Sequence, residues 1–143
     1  MTKLLFAYGS LMNDEVTNAL LQSPLERQPA TLNGYRRVQV KNALYPGAFA
    51  DVGAEIEGQL ISGLTDDQWQ RLDVFEGEYY ERTAVTVLSA ACEPMVADTY
   101  VFKDAYRHLL NDSPWCNDTF RDQLMSRFID TYTGYLAAAS EDS

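Results

Sequence analysis

Stretches whose apolar residues suit β-strands fill most of this chain, and helical spacing interrupts them in only three places. Strands therefore do not alternate regularly with helices. That succession argues against a doubly wound parallel sheet. It points instead to an α+β fold, a small, partly closed barrel flanked by helices. With 143 residues, the chain is expected to form one domain spanning 1–143 and to bury a core without disulfide or metal staples.

The first strand is expected over Leu4 to Tyr8, closed by Gly9-Ser10-Leu11. Asn13 or Asp14 starts a helix to about Leu21, with Val16, Ala19 and Leu20 on one face, and Ser23-Pro24 stops it. Asn33-Gly34 reads as a turn before a strand from Tyr35 to Val40, and Tyr45-Pro46-Gly47 as another turn. Ile56 to Leu64 reads as a strand in which Gly58 and Gly63 mark a bulge or a close backbone approach. Thr65-Asp66-Asp67-Gln68 is a capping box. The helix it opens should bury Trp69, Leu72 and either Val74 or Phe75, and end at Gly77. Tyr79 to Leu88 and Met95 to Phe102 follow as strands. From Asn117 to Ala139, Phe120, Leu124 and Phe128 recur every four residues. This predicts a long C-terminal helix, packed along the domain or partly used against another subunit.

Charge narrows the function classes. Eleven Lys and Arg stand against twenty-one Asp and Glu, a net charge of −10. Such a chain is a poor partner for phosphate backbones or anionic lipid, so neither nucleic acid nor membrane is expected. No apolar run approaches the roughly 20 residues of a bilayer span. The N-terminus reads as a strand rather than a signal peptide. Cys92 and Cys116 make neither a disulfide framework nor a zinc pattern, and two free thiols fit a cytoplasmic protein. No glycine-rich nucleotide motif or metal-ligand spacing is present, so neither cofactor nor metal is expected.

Two segments can carry chemistry. In Tyr8-Gly9-Ser10-Leu11, a strand runs into a tight turn that can point successive N–H groups into a cavity, as an anion or oxyanion cradle. The same four residues also fit an ordinary strand-end turn. In the second segment, four acids fall between Asp73 and Glu81, with Glu76 between Phe75 and Gly77 at a helix end. Aromatic neighbours and nearby acids would raise its pKa into the range useful for acid/base catalysis. A solvated acidic rim fits as well. Tyr79, Tyr80 and Arg82 follow on the next strand. The single histidine, His108, reads as a surface residue. A Ser10–His108 hydrolase is the weakest reading, because Gly9-Ser10-Leu11 is not a nucleophile elbow.

Taken together, the two segments resemble the gamma-glutamylcyclotransferase superfamily, in its AIG2-like branch. The Y-G-S-L element is met by Tyr8-Gly9-Ser10-Leu11, and the L-D-x-F/Y-E-G-x-x-Y element by Leu72-Asp73-Val74-Phe75-Glu76-Gly77 and Tyr80. Tyr45-Pro46-Gly47-Ala48 and Ile56-Glu57-Gly58-Gln59-Leu60 resemble the family's link between them. The likeness spans roughly residues 3–103. It implies a mixed barrel with helices packed on it and release of 5-oxoproline from a small gamma-glutamyl amine or peptide. Glu76 would be the sole acid/base. Tyr8, Gly9, Ser10, Leu11 and Tyr80 would bind substrate, and Tyr100 and Arg82 would be further pocket candidates. No cofactor is implied, and the assembly is expected to be a monomer or weak homo-oligomer. A non-catalytic metabolite-binding or interaction module using the same pocket is the alternative.

Overall fold

The computed structural model describes residues 4–21, 25–41, 43, 45–111, 113 and 115–121. Five strands close into a barrel in the order β1-β3-β2-β4-β5: β1 is Leu5–Ala7, β2 Glu26–Gln39, β3 Pro46–Ser62, β4 Tyr80–Ser89 and β5 Pro94–Phe102. Strand β1 pairs antiparallel with β3 and parallel with β5, so the barrel is mixed. Helix α1 (Asp14–Leu21) and helix α2 (Asp66–Glu76) complete the flanking layer. The C-terminal helix expected over 117–139 lies outside the described residues except for its first turn, Asn117–Thr119.

Alternation along β1 assigns its side chains to two cores. Phe6 and Tyr8 join Leu32, Ile56, Leu60 and Val87 in one buried cluster. Leu5 and Ala7 join Val16, Leu20, Trp69 and Leu72 in another, which brings α1 and α2 against the barrel. A three-residue strand buried on both faces reads in sequence as an unbroken apolar run, which is why Leu4 to Tyr8 was legible.

Strands β2 and β3 are much longer than the sequence suggests, because the first half of β2 buries only alternate residues and β3 buries none from 49 to 55. Ala30 and Leu32 face the core, while Gln28, Pro29 and Asn33 are half-buried or exposed. Asn33-Gly34 is not a turn: β2 continues through it, with a shift of register between Asn33 and Tyr35 and Gly34 at φ +86°. The turn expected at Tyr45-Pro46-Gly47 lies earlier. The Val40 N–H bonds the Tyr45 carbonyl, and β3 begins at Pro46. Gly58 is the close approach anticipated, since a Cβ there would sit 2.4 Å from the Ala7 carbonyl oxygen.

Helix α2 starts as its capping box dictates. Gln68 N–H donates to Thr65 Oγ1 at 3.2 Å, and Thr65 N–H to Gln68 Oε1 at 2.9 Å. It buries Trp69 and Leu72 and packs Phe75 against the core, while Val74 points to solvent. Gly77 ends it with φ +79° and ψ −164°, a conformation open essentially to glycine alone. Asn13 opens α1 differently from expectation. Its carbonyl accepts from Val16 and Thr17, but its buried side chain turns back to donate to the Ser10 carbonyl.

Candidate active site

One end of the barrel holds a pocket between the β1 exit and the end of α2. About 50 Å³ is open to the centres of water-sized groups, several times the roughly 10–15 Å³ one water needs. Tyr8, Gly9, Ser10 and Leu11 line one side, and Phe75, Glu76 and Tyr80 the other. Tyr100 closes it, together with residues the sequence did not single out as pocket walls: Phe6, Ala7, Tyr45, Pro46 and Thr99.

The loop side is a row of main-chain amides. Ser10–Met12 forms a single 3-10 turn whose first hydrogen bond runs from the Met12 N–H to the Gly9 carbonyl. The amides of Gly9, Ser10 and Leu11 precede that bond, so the turn itself offers them no acceptor. Their direction follows from peptide planarity. In a trans peptide the C=O and N–H point oppositely, and each carbonyl on the other side of these peptides is taken. Arg37 donates to Tyr8 O at 2.7 Å and Met12 to Gly9 O at 3.0 Å. Asn13 donates to Ser10 O twice, from its backbone at 3.1 Å and its side chain at 3.0 Å. With these three carbonyls bonded, the residues that carry the opposite N–H groups, Gly9, Ser10 and Leu11, line the pocket.

The acid side is one carboxyl at a helix end. Glu76 is half-buried as a residue, yet burial dominates at its carboxyl and, with the Asp73 carboxylate adding repulsion, raises its pKa to about 8. Asp73 lies one turn earlier on the same face of α2. The helix C-terminus adds partial negative charge in the same direction. Asp73 itself is held in place: Tyr100 donates to its Oδ1 at 2.7 Å and Arg82 lies 3.6 Å from its Oδ2.

The tyrosines pin the walls with their hydroxyls and offer the pocket their rings. Tyr80 OH donates to the Pro46 carbonyl at 2.6 Å and Tyr8 OH to the Tyr100 carbonyl. Burial, then the proximity of Glu76, pushes the Tyr8 phenol well above its ordinary pKa, and burial does the same for Tyr100, so both stay neutral.

Of the residues anticipated from sequence, Tyr8, Gly9, Ser10, Leu11, Glu76, Tyr80 and Tyr100 share this pocket. Arg82 does not line it. It sits behind, stacked 4.9 Å over the Trp69 ring and paired with Asp73 and Asp98. His108 is exposed on a separate 3-10 turn, Asp104–Leu109, and is absent from the pocket wall, so it is not placed to serve as a base for Ser10. Both cysteines are exposed free thiols. Among the described residues no group of three or more His, Cys, Asp and Glu could hold a metal ion. None of their helices is long and apolar enough to cross a membrane. The walls that sequence reading missed had weak signals. Thr99 lies within the expected Met95–Phe102 strand, and its hydroxyl donates to Phe6 O at 2.8 Å. Tyr45 was read as a turn residue and as part of the link between the two motifs, not as a wall.

Residues 5–117 match the family described as Gamma-glutamyl cyclotransferase, AIG2-like. AIG2-like protein C of Arabidopsis thaliana is 37% identical over 101 residues, covering 70% of this chain. The chain spans only 59% of that relative's length. A solution structure from Arabidopsis thaliana superposes with a TM-score of 0.70 at 28% identity, covering 98% of this chain and 85% of its own. A solved structure titled gamma-glutamyl cyclotransferase shares the fold, with a TM-score of 0.63 at 17% identity over 72% of this chain and 68% of its own.

Proposed function

The chain belongs to the AIG2-like gamma-glutamyl cyclotransferase family, and on that premise we propose that it releases 5-oxoproline from a small gamma-glutamyl amine or peptide. The observation that carries the reading is the Glu76 carboxyl, its pKa raised to about 8 by burial and Asp73, lining the same hollow as Gly9, Ser10 and Leu11.

The substrate supplies its own nucleophile, so the protein needs none. The Glu76 carboxylate takes a proton from the alpha-ammonium, and the freed amine attacks the gamma-carbonyl carbon. The C–N bond to the leaving amine then breaks as the ring closes. Overall, two protons pass from the alpha-nitrogen to the leaving nitrogen, and one carboxyl relays both in succession. The Gly9–Leu11 amides stabilise negative charge, on the reaction oxyanion or on the alpha-carboxylate. Ring closure is intramolecular, so much of the enzyme's work is to hold the chain folded. The rings of Tyr8, Tyr80 and Tyr100 enclose the aliphatic part.

The deciding experiment is a 5-oxoproline release assay across gamma-glutamyl amines, gamma-glutamyl dipeptides and glutathione, with the parent and Glu76→Gln. Turnover that Glu76→Gln lowers by at least about a hundredfold is the expected result. Parent-level turnover in the variant would refute the role of Glu76. Saturable binding without turnover in the parent would favour the non-catalytic module.

A further inference from the structure

The amides of the cradle belong to the loop, but what aims them lies outside it. Arg37, on β2, reaches across to donate to the Tyr8 carbonyl at 2.7 Å and to the Glu57 carbonyl at 3.4 Å, with Met12 Sδ 3.9 Å away. Its guanidinium is stacked 5.3 Å over the Trp115 ring. It makes no ion pair with a carboxylate among the described residues, an unusual state for a half-buried arginine in so acidic a chain. Asn13 takes the next exposed carbonyl, Ser10, and is itself gripped by the same C-terminal segment. It donates to Asn117 Oδ1 at 3.0 Å and accepts from Arg121 at 2.8 Å.

We infer that Arg37 is a positioning residue for the cradle, a latch that turns the Gly9 amide into the pocket by holding the other face of the Tyr8–Gly9 peptide, with the Trp115–Arg121 segment bracing the latch and Asn13 from outside. The physical reason is the planarity of the peptide: whatever fixes the carbonyl fixes the N–H opposite. Because Arg37 is charged and bonds a neutral carbonyl, it also polarises that peptide so that its amide becomes a better donor to an anion. The consequence for catalysis rests on the reaction proposed above, but the latch itself is a property of the free protein.

The test compares the full chain with Arg37→Gln, Arg37→Lys and the neighbouring Arg36→Gln. The last removes the same charge from a side chain paired instead with Asp51 at 2.7 Å. Three readouts are used: ¹⁵N–¹H resonances of Gly9, Ser10 and Leu11 in the free protein and on titration with 5-oxoproline, the KM and kcat for 5-oxoproline release, and the pH profile. Arg37→Gln is expected to displace the Gly9 resonance in the free protein and to raise KM tenfold or more. The alkaline-rising limb set by Glu76 should stay in place. Arg37→Lys, which keeps one donor but loses the planar fork and the stack, should be intermediate. Arg36→Gln should match the parent. Parent-like Gly9–Leu11 resonances and KM in Arg37→Gln overturn the inference, as does an equal effect from Arg36→Gln. If Arg37→Gln does not fold, Arg37→Lys carries the test, and parent-like Gly9 resonances in it are fatal. A parent that releases no 5-oxoproline defeats the proposed reaction and leaves the resonances to judge the latch.

Discussion

The two walls of the pocket reach opposite ends by opposite means. On the α2 side, one carboxyl lines the pocket, and its behaviour is set by what surrounds it: enclosure, and Asp73 one turn away. On the β1 side, the proposed working groups are main-chain amides, and the side chains of Arg37 and Asn13 hold the carbonyls of the same peptides. The acid wall therefore fails by losing its own side chain. The amide wall fails when something outside the pocket is changed, or when its glycine gains bulk. This difference can be broken or sharpened by substitution.

The largest effect belongs to Glu76→Gln, for which activity and stability should move in opposite directions. Activity falls by at least about a hundredfold. For stability, a carboxyl whose folded pKa is raised favours the folded state most when protonated. Its contribution is full below the ordinary value of 4.5, and it is lost as pH rises toward and through about 8. Glutamine removes that loss, so the variant should be more stable than the parent above pH 8, by about 1–3 kcal/mol. A shift from 4.5 to about 8 would give more in a fully enclosed group at 1.36 kcal/mol per unit, but Glu76 is half open to water. Denaturant unfolding at pH 5 and pH 9 checks it. Equal stability of the two proteins at both pH values would mean that the carboxyl is not enclosed.

Gly9→Ala should come next and marks the other wall. A Cβ at Gly9 would lie 2.9 Å from Pro46 Cγ, too close for a real contact, so the loop or Pro46 must shift, and both line the pocket. We expect KM to rise roughly tenfold or more, as a misplacement near 1 Å does, while the pH profile keeps its limb. A shifted limb without a change in KM would contradict the separation of the two walls.

Asp73→Asn is subtler. The parent's kcat/KM is expected to rise with pH through a limb near 8, where free Glu76 becomes a carboxylate. Without the neighbouring charge that limb should move below 8, with KM little altered. The asparagine carbonyl still accepts from Tyr100, and Arg82 keeps Asp98. An unmoved limb would assign the whole shift to burial.

The same contrast explains what the sequence disclosed. Glu76 was legible because a side chain between Phe75 and Gly77 announces both its chemistry and its helix end. The capping box of α2 and the buried run of β1 were legible for similar reasons, being local. The amide cradle was legible only as a possibility, since no side chain distinguishes an N–H that points inward from one that does not. Of the partners that aim it, Arg37 is 29 residues from the Tyr8 carbonyl it holds and nothing local marks it, while Asn13 was legible only as a helix start and not as a partner of Asn117 and Arg121, 104 and 108 residues away. The full lengths of β2 and β3 were hidden because β2 buries one face in its first half and β3 buries nothing from 49 to 55, and Gly34 looked like a turn when it is a bulge within a continuous strand. Arg82 was a pocket candidate from the family resemblance, yet Trp69 and Asp73 draw its side chain behind the wall.

The smallest effect comes from the far end of the helix that carries Glu76. Thr65 caps α2 eleven residues before its last residue, Glu76, about 16 Å away at 1.5 Å per residue. Thr65→Ala removes the bond to Gln68 N–H and should lower stability by about 1 kcal/mol. Glu76 is fixed locally by Gly77, whose N–H returns to the Asp73 carbonyl at 3.2 Å, and by Phe75 in the core. Fraying of the first turn therefore should not reach it. Chemical denaturation together with the kcat/KM profile measures both consequences on one sample. If stability falls and the limb near 8 stays put, the acid wall is set by its last turn alone; if the limb moves with the cap, the whole helix is part of the site.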